Sequence, residues 1–346
     1  MSNLVSIATS AADKSFSSKE VLSAAELWLS KKPSELELFK RFHHSSKAES
    51  RSYVVSPKDI LDLGGQSSRA ILFSKYGMPL GCKAVEAALL SAKMRPADIH
   101  TVIFTSCTSP LIPALDSEIL QRMDFSPSTK RIPIYQQGCA GGVVGFSLAN
   151  RLSREGENVL LISVEICSLL FHFEDSNNVD LLGAALFADG AAASVFSSDS
   201  GKLKIIDSYS HLIPESGHLM GYNIRDNGAH LRLDRDLPAV LEETLPKVTE
   251  KFLNKLNLNQ SDFPWWVIHP GGIKILDGIG RLLSLDRSQF GWSYDILSKT
   301  GNMSSATVQF VLSDCLASGV VQPMDKIMMV GIGPGLTIEL VAFELL

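Results

Sequence analysis

Three residues of this 346-residue chain have the types and spacing to do covalent chemistry together: Cys139, His269 and Asn302. Cys139 stands in Tyr135-Gln136-Gln137-Gly138-Cys139-Ala140-Gly141-Gly142. The glycines let the backbone turn sharply and bring a thiol to a helix N-terminus, where the dipole and free N–H groups favour thiolate. A thiolate is what attacks a thioester carbonyl. His269 follows the apolar run Trp265–Ile268 and precedes Pro270-Gly271-Gly272, and Asn302 lies in Thr300-Gly301-Asn302-Met303-Ser304-Ser305-Ala306. Each has a plainer explanation: a small buried cysteine, a satisfied core histidine, an N-cap asparagine. Their order and spacing at three loop ends are what favour chemistry.

Other arrangements are excluded. The five cysteines, at 82, 107, 139, 167 and 315, are odd in number, and no two lie closer than 25 positions (107 − 82). That rules out a Cys-x-x-Cys zinc site, argues against a disulfide framework and suits a reducing cytoplasm. His43, His44 and Glu49 do not complete a metal site, so no metal is expected. Gly331-x-Gly333-x-Gly335 is not a dinucleotide fingerprint, because Pro334 and a strand-like 336–343 stand where a helix is needed. A papain-like protease shares the three residue types but not the signature around its cysteine.

Composition narrows the class further. Apolar residues make up 45% and charged residues 20%, as in a soluble globular protein. Lys+Arg 32 against Asp+Glu 37 gives a net charge of −5 with no basic run, which argues against a nucleic-acid partner. The most apolar stretch, 327–346, is broken by glycines, Glu339 and Glu344, so no membrane span is expected. The first residues lack the pattern of a secretory signal, which makes a cytoplasmic location the expectation.

Positioning the three residues requires an α/β framework. The first 60 residues read as helical and polar. A helix capped at Ser18, with Glu20 and an apolar stripe from Val21, is followed by helical patterning over 36–42 and a loop bearing His43, His44, Lys47 and Arg51. From residue 83 two halves repeat the same order of signals, with apolar strands alternating with amphipathic helices. The expectation is a five-layered fold in which helices sandwich two mostly parallel sheets around a shared helical layer. Residues 1–200 carry the cysteine; residues 201–346 carry the histidine and asparagine. Cys139 and Asn302 fall at equivalent points of the duplication. His269 falls at the carboxyl end of a strand, the edge where ligands collect in α/β sheets.

Five motifs in this order resemble those of the type III polyketide synthases, the chalcone and stilbene synthase-like branch of the thiolase superfamily. They are Tyr-Gln-Gln-Gly-Cys139, Ala185-Leu-Phe-Ala-Asp-Gly-Ala-Ala-Ala193, Ile268-His-Pro-Gly-Gly272, Gly301-Asn-Met-Ser-Ser-Ala306 and Gly331-Ile-Gly-Pro-Gly-Leu-Thr337. The likeness covers essentially the whole chain, and the interval from His269 to Asn302 (302 − 269 = 33) also resembles the family's. It implies a thiolase-like αβαβα fold of two duplicated βαβαβαββ halves. It further implies decarboxylative Claisen condensation of an acyl thioester with malonyl-CoA, without a cofactor.

The resemblance also implies roles for single residues. Cys139 would carry the acyl group, with His269 holding it as thiolate, and His269 and Asn302 would stabilise the enolate oxygen left by decarboxylation. The backbone at Gly333 and Gly335 would face the acyl oxyanion together with the N–H of Cys139. Phe187 matches a gatekeeper phenylalanine, Leu231 stands where a second is expected, and Ser304 joins them as a substrate-binding position. A smaller residue at 231 would widen the cavity. Ile112 would reach a partner's cavity in a homodimer, and Lys40, Arg41 and Lys47 would meet coenzyme A phosphates. The short chain and the unextended Gly138-Cys139-Ala140-Gly141-Gly142 resemble bacterial members. They point to fatty acyl or β-ketoacyl starters, delivered on coenzyme A or an acyl carrier protein, and to an α-pyrone or resorcinol-type product. Two rivals stay open: a ketoacyl-carrier-protein synthase III performing one condensation, and a non-catalytic thiolase-fold partner subunit.

Overall fold

A computed structural model describes residues 2–346 apart from 175 and 227. In chain order the first half comprises β1 (Ser2–Ala11), β2 (Ser15–Ser17), α1 (Ser18–Trp28), α2 (Pro33–Ser46), β3 (Ser50–Ser52), α3 (Gln66–Ala92), β4 (Thr101–Ser106), α4 (Asp116–Arg122), β5 (Lys130–Tyr135), α5 (Gly141–Arg154), β6 (Val159–Ile166), α6 (Asn178–Leu186) and β7 (Asp189–Ser197). The second half comprises β8 (Leu203–Leu212), β9 (Met220–Arg225), β10 (Gly228–Leu233), α7 (Leu237–Leu256), β11 (Trp265–Ile268), α8 (Ile273–Leu282), α9 (Gly291–Thr300), α10 (Thr307–Ala317), β12 (Lys326–Gly333) and β13 (Thr337–Leu345).

Nine strands run in the order β11-β12-β13-β8-β1-β7-β6-β4-β5. Two half-sheets meet where β1 pairs with β8 over only three residue pairs, Ser2–Leu4 against Leu203–Ile205. Each half-sheet follows the same winding, but the second lacks a counterpart of β5. In its place Asn302 forms a parallel bridge with Phe187, so the segment between α9 and α10 pairs across to the first half.

Three expectations need correction. The first ten described residues are not helical: β1 lies at the middle of the sheet between β7 and β8. Its inward positions are filled by Ser2, Leu4, Ser6 and Ser10, small side chains whose polarity hides the strand pattern. Nor are the sheets mostly parallel. Only β4–β5, β4–β6 and β11–β12 pair in parallel. Helices cover both faces, so strands of either direction read as unbroken apolar runs. The first helix is also capped one residue earlier than expected, by Ser17, in a capping box with Glu20.

The layers follow from which side chain each strand residue sends to which face. On β12, Met328 and Val330 join the core under α7 and α8, whereas Ile327 and Met329 join the central core. That central core contains Val143 and Phe146 of α5 with Val308 and Val311 of α10, which makes these two helices the shared layer between half-sheets. On the far side α3 packs Phe73 and Val85 with Val164 and Ile166 of β6. Among the described residues no helix is long and apolar enough to cross a membrane.

Candidate active site

The shared helices bring the chemistry together. A short 3-10 turn, Gly138–Ala140, leads into α5, and another, Ser304–Ala306, leads into α10. These turns meet because α5 starts with glycine: a Cβ on Gly142 would stand 2.3 Å from the Ser305 carbonyl oxygen. The end of β12 closes from the other side, since a Cβ on Gly333 would lie 2.5 Å from that of Ala140. His269 arrives at the end of β11, its N–H donating to the Val330 carbonyl at 2.9 Å.

Cys139, His269 and Asn302 all line one cavity of about 340 Å³. Asn302 is fixed in orientation. Its Oδ1 accepts the Ser304 N–H at 2.8 Å and the Thr307 hydroxyl at 3.3 Å, which leaves the amide N–H2 as the group free to donate. Its backbone is held by Leu186 and Ala188, so the same strand-like bridge seats Phe187 on the cavity wall. Among the described residues neither ring nitrogen of the buried His269 has a partner. The imidazole therefore has a donor to spend on whatever occupies the cavity.

The electrostatics bear on the expected thiolate. Cys139 keeps some accessible surface, but that surface is cavity wall. Enclosure pushes its thiol up to about 11, against the smaller opposing pull of hydrogen bonds from Ser304 and Asn302. Burial likewise pushes His269 down to about 3. Removal from water thus works against the charged form of both groups and opposes the pull of the helix terminus toward thiolate.

Beneath Cys139 lies a polar floor of which the sequence reading named only Ser304, missing Cys107 and Glu165. Ser304, at φ 46°, presents its hydroxyl 3.7 Å from the Cys139 sulfur and 3.1 Å from that of Cys107. Glu165, fully buried on β6, accepts the N–H groups of Cys107 and Thr108 at 3.1 Å, the Thr108 hydroxyl at 2.6 Å and the Ser305 hydroxyl. Burial nevertheless pushes its carboxyl pKa up. Signals for both residues existed. Cys107 follows the carboxyl end of β4 as Cys139 follows β5, and a lone Glu inside the apolar run 159–166 demands a buried partner set.

The remaining expected positions are placed as follows. Leu231 and Ser304 line the cavity; so do Ile332 and Pro334. Gly333 packs on the cysteine turn, whereas Gly335 lies beside Leu212 and Gly217 and is not on the lining. Ile112 stands 99% exposed on the surface of the single chain. Lys40, Arg41 and Lys47 do not line the cavity, and Lys40 pairs with Glu37 at 3.1 Å. Their helical neighbours Phe42, Ser45 and Ser46 do line it, as does Lys274 at the start of α8, which sequence reasoning did not single out. His43 belongs to α2 rather than a loop and bonds the Ser18 hydroxyl at 2.6 Å.

Comparison with known proteins agrees with this architecture. Residues 67–200 match the N-terminal domain model of chalcone and stilbene synthases, and residues 204–345 match the C-terminal one. A putative chalcone synthase of Bacillus subtilis is 35% identical over 257 residues, covering 71% of this chain and 70% of that protein. A 1,3,6,8-tetrahydroxynaphthalene synthase of Streptomyces peucetius is 32% identical, covering 88% and 82%. The crystal structure of the 1,3,6,8-tetrahydroxynaphthalene synthase of Streptomyces coelicolor, a bacterial type III polyketide synthase, superposes with a TM-score of 0.94 at 27% identity, covering 99% of both chains.

Proposed function

This chain belongs to the chalcone and stilbene synthase family and is a type III polyketide synthase of the bacterial kind, and from that premise we propose how its cavity works. An acyl thioester transfers its acyl group to Cys139; malonyl-CoA then loses CO2, and the resulting carbon nucleophile attacks the bound acyl group. The observation that carries this reading is the meeting of Cys139, His269 and Asn302 in one apolar cavity.

The neutral resting pair sets the first step. Neutral His269 accepts the Cys139 proton as sulfur attacks the incoming carbonyl and passes it to the coenzyme A thiolate as that group leaves, so charge appears only transiently and the imidazole is neutral again for the next step. In the second step a neutral imidazole N–H and the Asn302 amide N–H2 donate to the thioester oxygen that gains charge as CO2 leaves. Neither group is an acid strong enough to quench the carbanion. The backbone N–H of Cys139 and the turn around Gly333 serve the acyl oxyanion.

The lining favours a fatty acyl or β-ketoacyl starter, because Leu182, Leu186, Leu231, Leu233, Leu237 and Leu241 give it an aliphatic wall. The product is then an α-pyrone or a resorcinol-type phenol. Lys274 joins Lys40, Arg41 and Lys47 as a group for coenzyme A phosphates at the mouth. The protein works as a cytoplasmic homodimer in which Ile112 closes the partner's cavity.

The test is mass spectrometry of products from malonyl-CoA with a panel of acyl-CoA starters, run beside Cys139→Ala. Pyrone or resorcinol masses that vanish in the variant support the reading. One two-carbon extension left on a carrier protein would replace it with the synthase III reading, and no product from starters on either carrier would leave the non-catalytic subunit.

A further inference from the structure

Resting on the polyketide reading above, we propose that Asp180, with His230 and Gly183, is a positioning device that sets how far Leu231 reaches into the cavity and thereby how long a chain the enzyme builds. The roof of the cavity is the β9–β10 hairpin, which supplies Met220, Tyr222, Leu231 and Leu233 to the lining and, among the described residues, forms a two-stranded sheet of its own. The Asp180 carboxylate ties it to α6. Asp180 Oδ1 accepts the backbone N–H of Leu231 at 3.0 Å, and Oδ2 lies 2.9 Å from Nδ1 of His230.

The pair is enclosed, with His230 fully buried and Asp180 8% exposed. Oδ2 also accepts the Asn177 N–H at 3.1 Å, so the carboxylate is fixed by the start of its own helix before it holds the hairpin. The His230 ring stacks on His172, centroids 4.4 Å apart and planes 18° apart. Burial, reinforced by nearby Arg69, pushes His172 down to about 4, so the ring stacked on His230 is uncharged at neutral pH. The hairpin turn is fitted to that ring, since a Cβ on Gly228 would lie 3.0 Å from His172 Cε1.

Gly183 sits one turn along α6 from Asp180. A Cβ there would stand 3.1 Å from Leu231 Cδ2 and 3.4 Å from Phe187 Cδ2. The bare glycine thus lets both side chains lie back against the helix. Asp180 holds the Leu231 backbone there, and the missing Cβ leaves room for its side chain. The two features act on one residue in opposite senses when changed: loss of the carboxylate frees the roof, and an added methyl drives Leu231 inward.

Products of one fixed starter with malonyl-CoA are therefore compared by mass spectrometry for wild type, Asp180→Leu, Asp180→Asn and Gly183→Ala. Gly183→Ala shifts the product distribution toward shorter chains. Asp180→Leu spreads the distribution toward longer chains, and Asp180→Asn, which keeps an acceptor for the Leu231 N–H but sets its N–H2 against the Asn177 N–H, shifts it less in the same direction. A merely structural role would lower every product in proportion. An unchanged distribution in Gly183→Ala overturns the proposal even where Asp180→Leu fails to fold. Wild type that makes no Cys139-dependent product fails the polyketide reading itself, a result distinct from unchanged distributions among active variants.

Discussion

The floor and the roof of this cavity are built from opposite materials. The floor ties both halves together through buried polar groups. Ser305 and Thr105 bond at 3.0 Å, Thr105 bonds Ser163 at 2.9 Å, and Gln309 bridges Ser163 at 2.7 Å and Ser194 at 2.6 Å. All of these side chains are essentially inaccessible to solvent. The roof is an aliphatic hairpin outside the main sheet, with Ile224 80% exposed on its outer side. A network in which each group satisfies several others tolerates little change, because any deletion strands a buried partner. An apolar surface held at a few points can be reshaped while the floor stays intact. Chemistry is thus confined to the floor, and choice of chain to the roof.

The sharpest test of that division removes a group at the reacting atoms, above the floor. His269→Gln is expected to lower kcat by about 10² to 10⁴-fold, with the distribution of residual products unchanged; a shifted distribution would break the division. The pH dependence sharpens it further. Because enclosure puts the free thiol up at about 11, the thiolate fraction rises with pH until that value. Alkylation of Cys139 by iodoacetamide should therefore keep accelerating beyond about pH 8, where an ordinary exposed thiol begins to level off. A plateau near neutral pH would mean that a thiolate–imidazolium pair forms in the empty site after all.

The next effect is smaller. Glu165→Gln places an amide N–H2 where the carboxylate accepts the N–H groups of Cys107 and Thr108. It should cost about 1–3 kcal/mol of stability, seen as a lowered Tm. Product length should hold while total yield falls. Unchanged stability would show that the floor is not the rigid half of the comparison.

Legibility in the sequence divides along the same line. Strands with unbroken apolar runs, such as β6 and β11, and helices with clear periods, such as α7, could be read directly. So could the three catalytic candidates, whose glycine-rich surroundings mark sharp turns. β1 was hidden because its buried positions are serines. Strand direction was hidden because burial on both faces erases the alternation that would reveal it. Glu165 and Cys107 were not found because their meaning lies in partners 58 positions apart along the chain. The roof was least legible. Leu231 could be placed only by resemblance, and nothing local in Gly228–Leu233 says that Asp180, 51 positions earlier, holds it.

The smallest expected effect falls on rate and the most specific on product. Leu231→Trp adds bulk to the aliphatic wall opposite Gly183 without touching a floor hydrogen bond. The indole cannot retreat toward α6, since the present leucine already approaches the point where a Cβ on Gly183 would stand to 3.1 Å. The added volume must then enter the cavity of about 340 Å³, and the starter or the growing chain must shorten to fit. Turnover with a short acyl starter should stay within about tenfold of wild type, because a pocket change of this kind is worth about 1–3 kcal/mol between substrates. Long-chain starters should be lost. If the longest starter accepted by Leu231→Trp equals that of wild type, Leu231 does not bound the acyl chain, and the limit lies elsewhere on the leucine-rich wall.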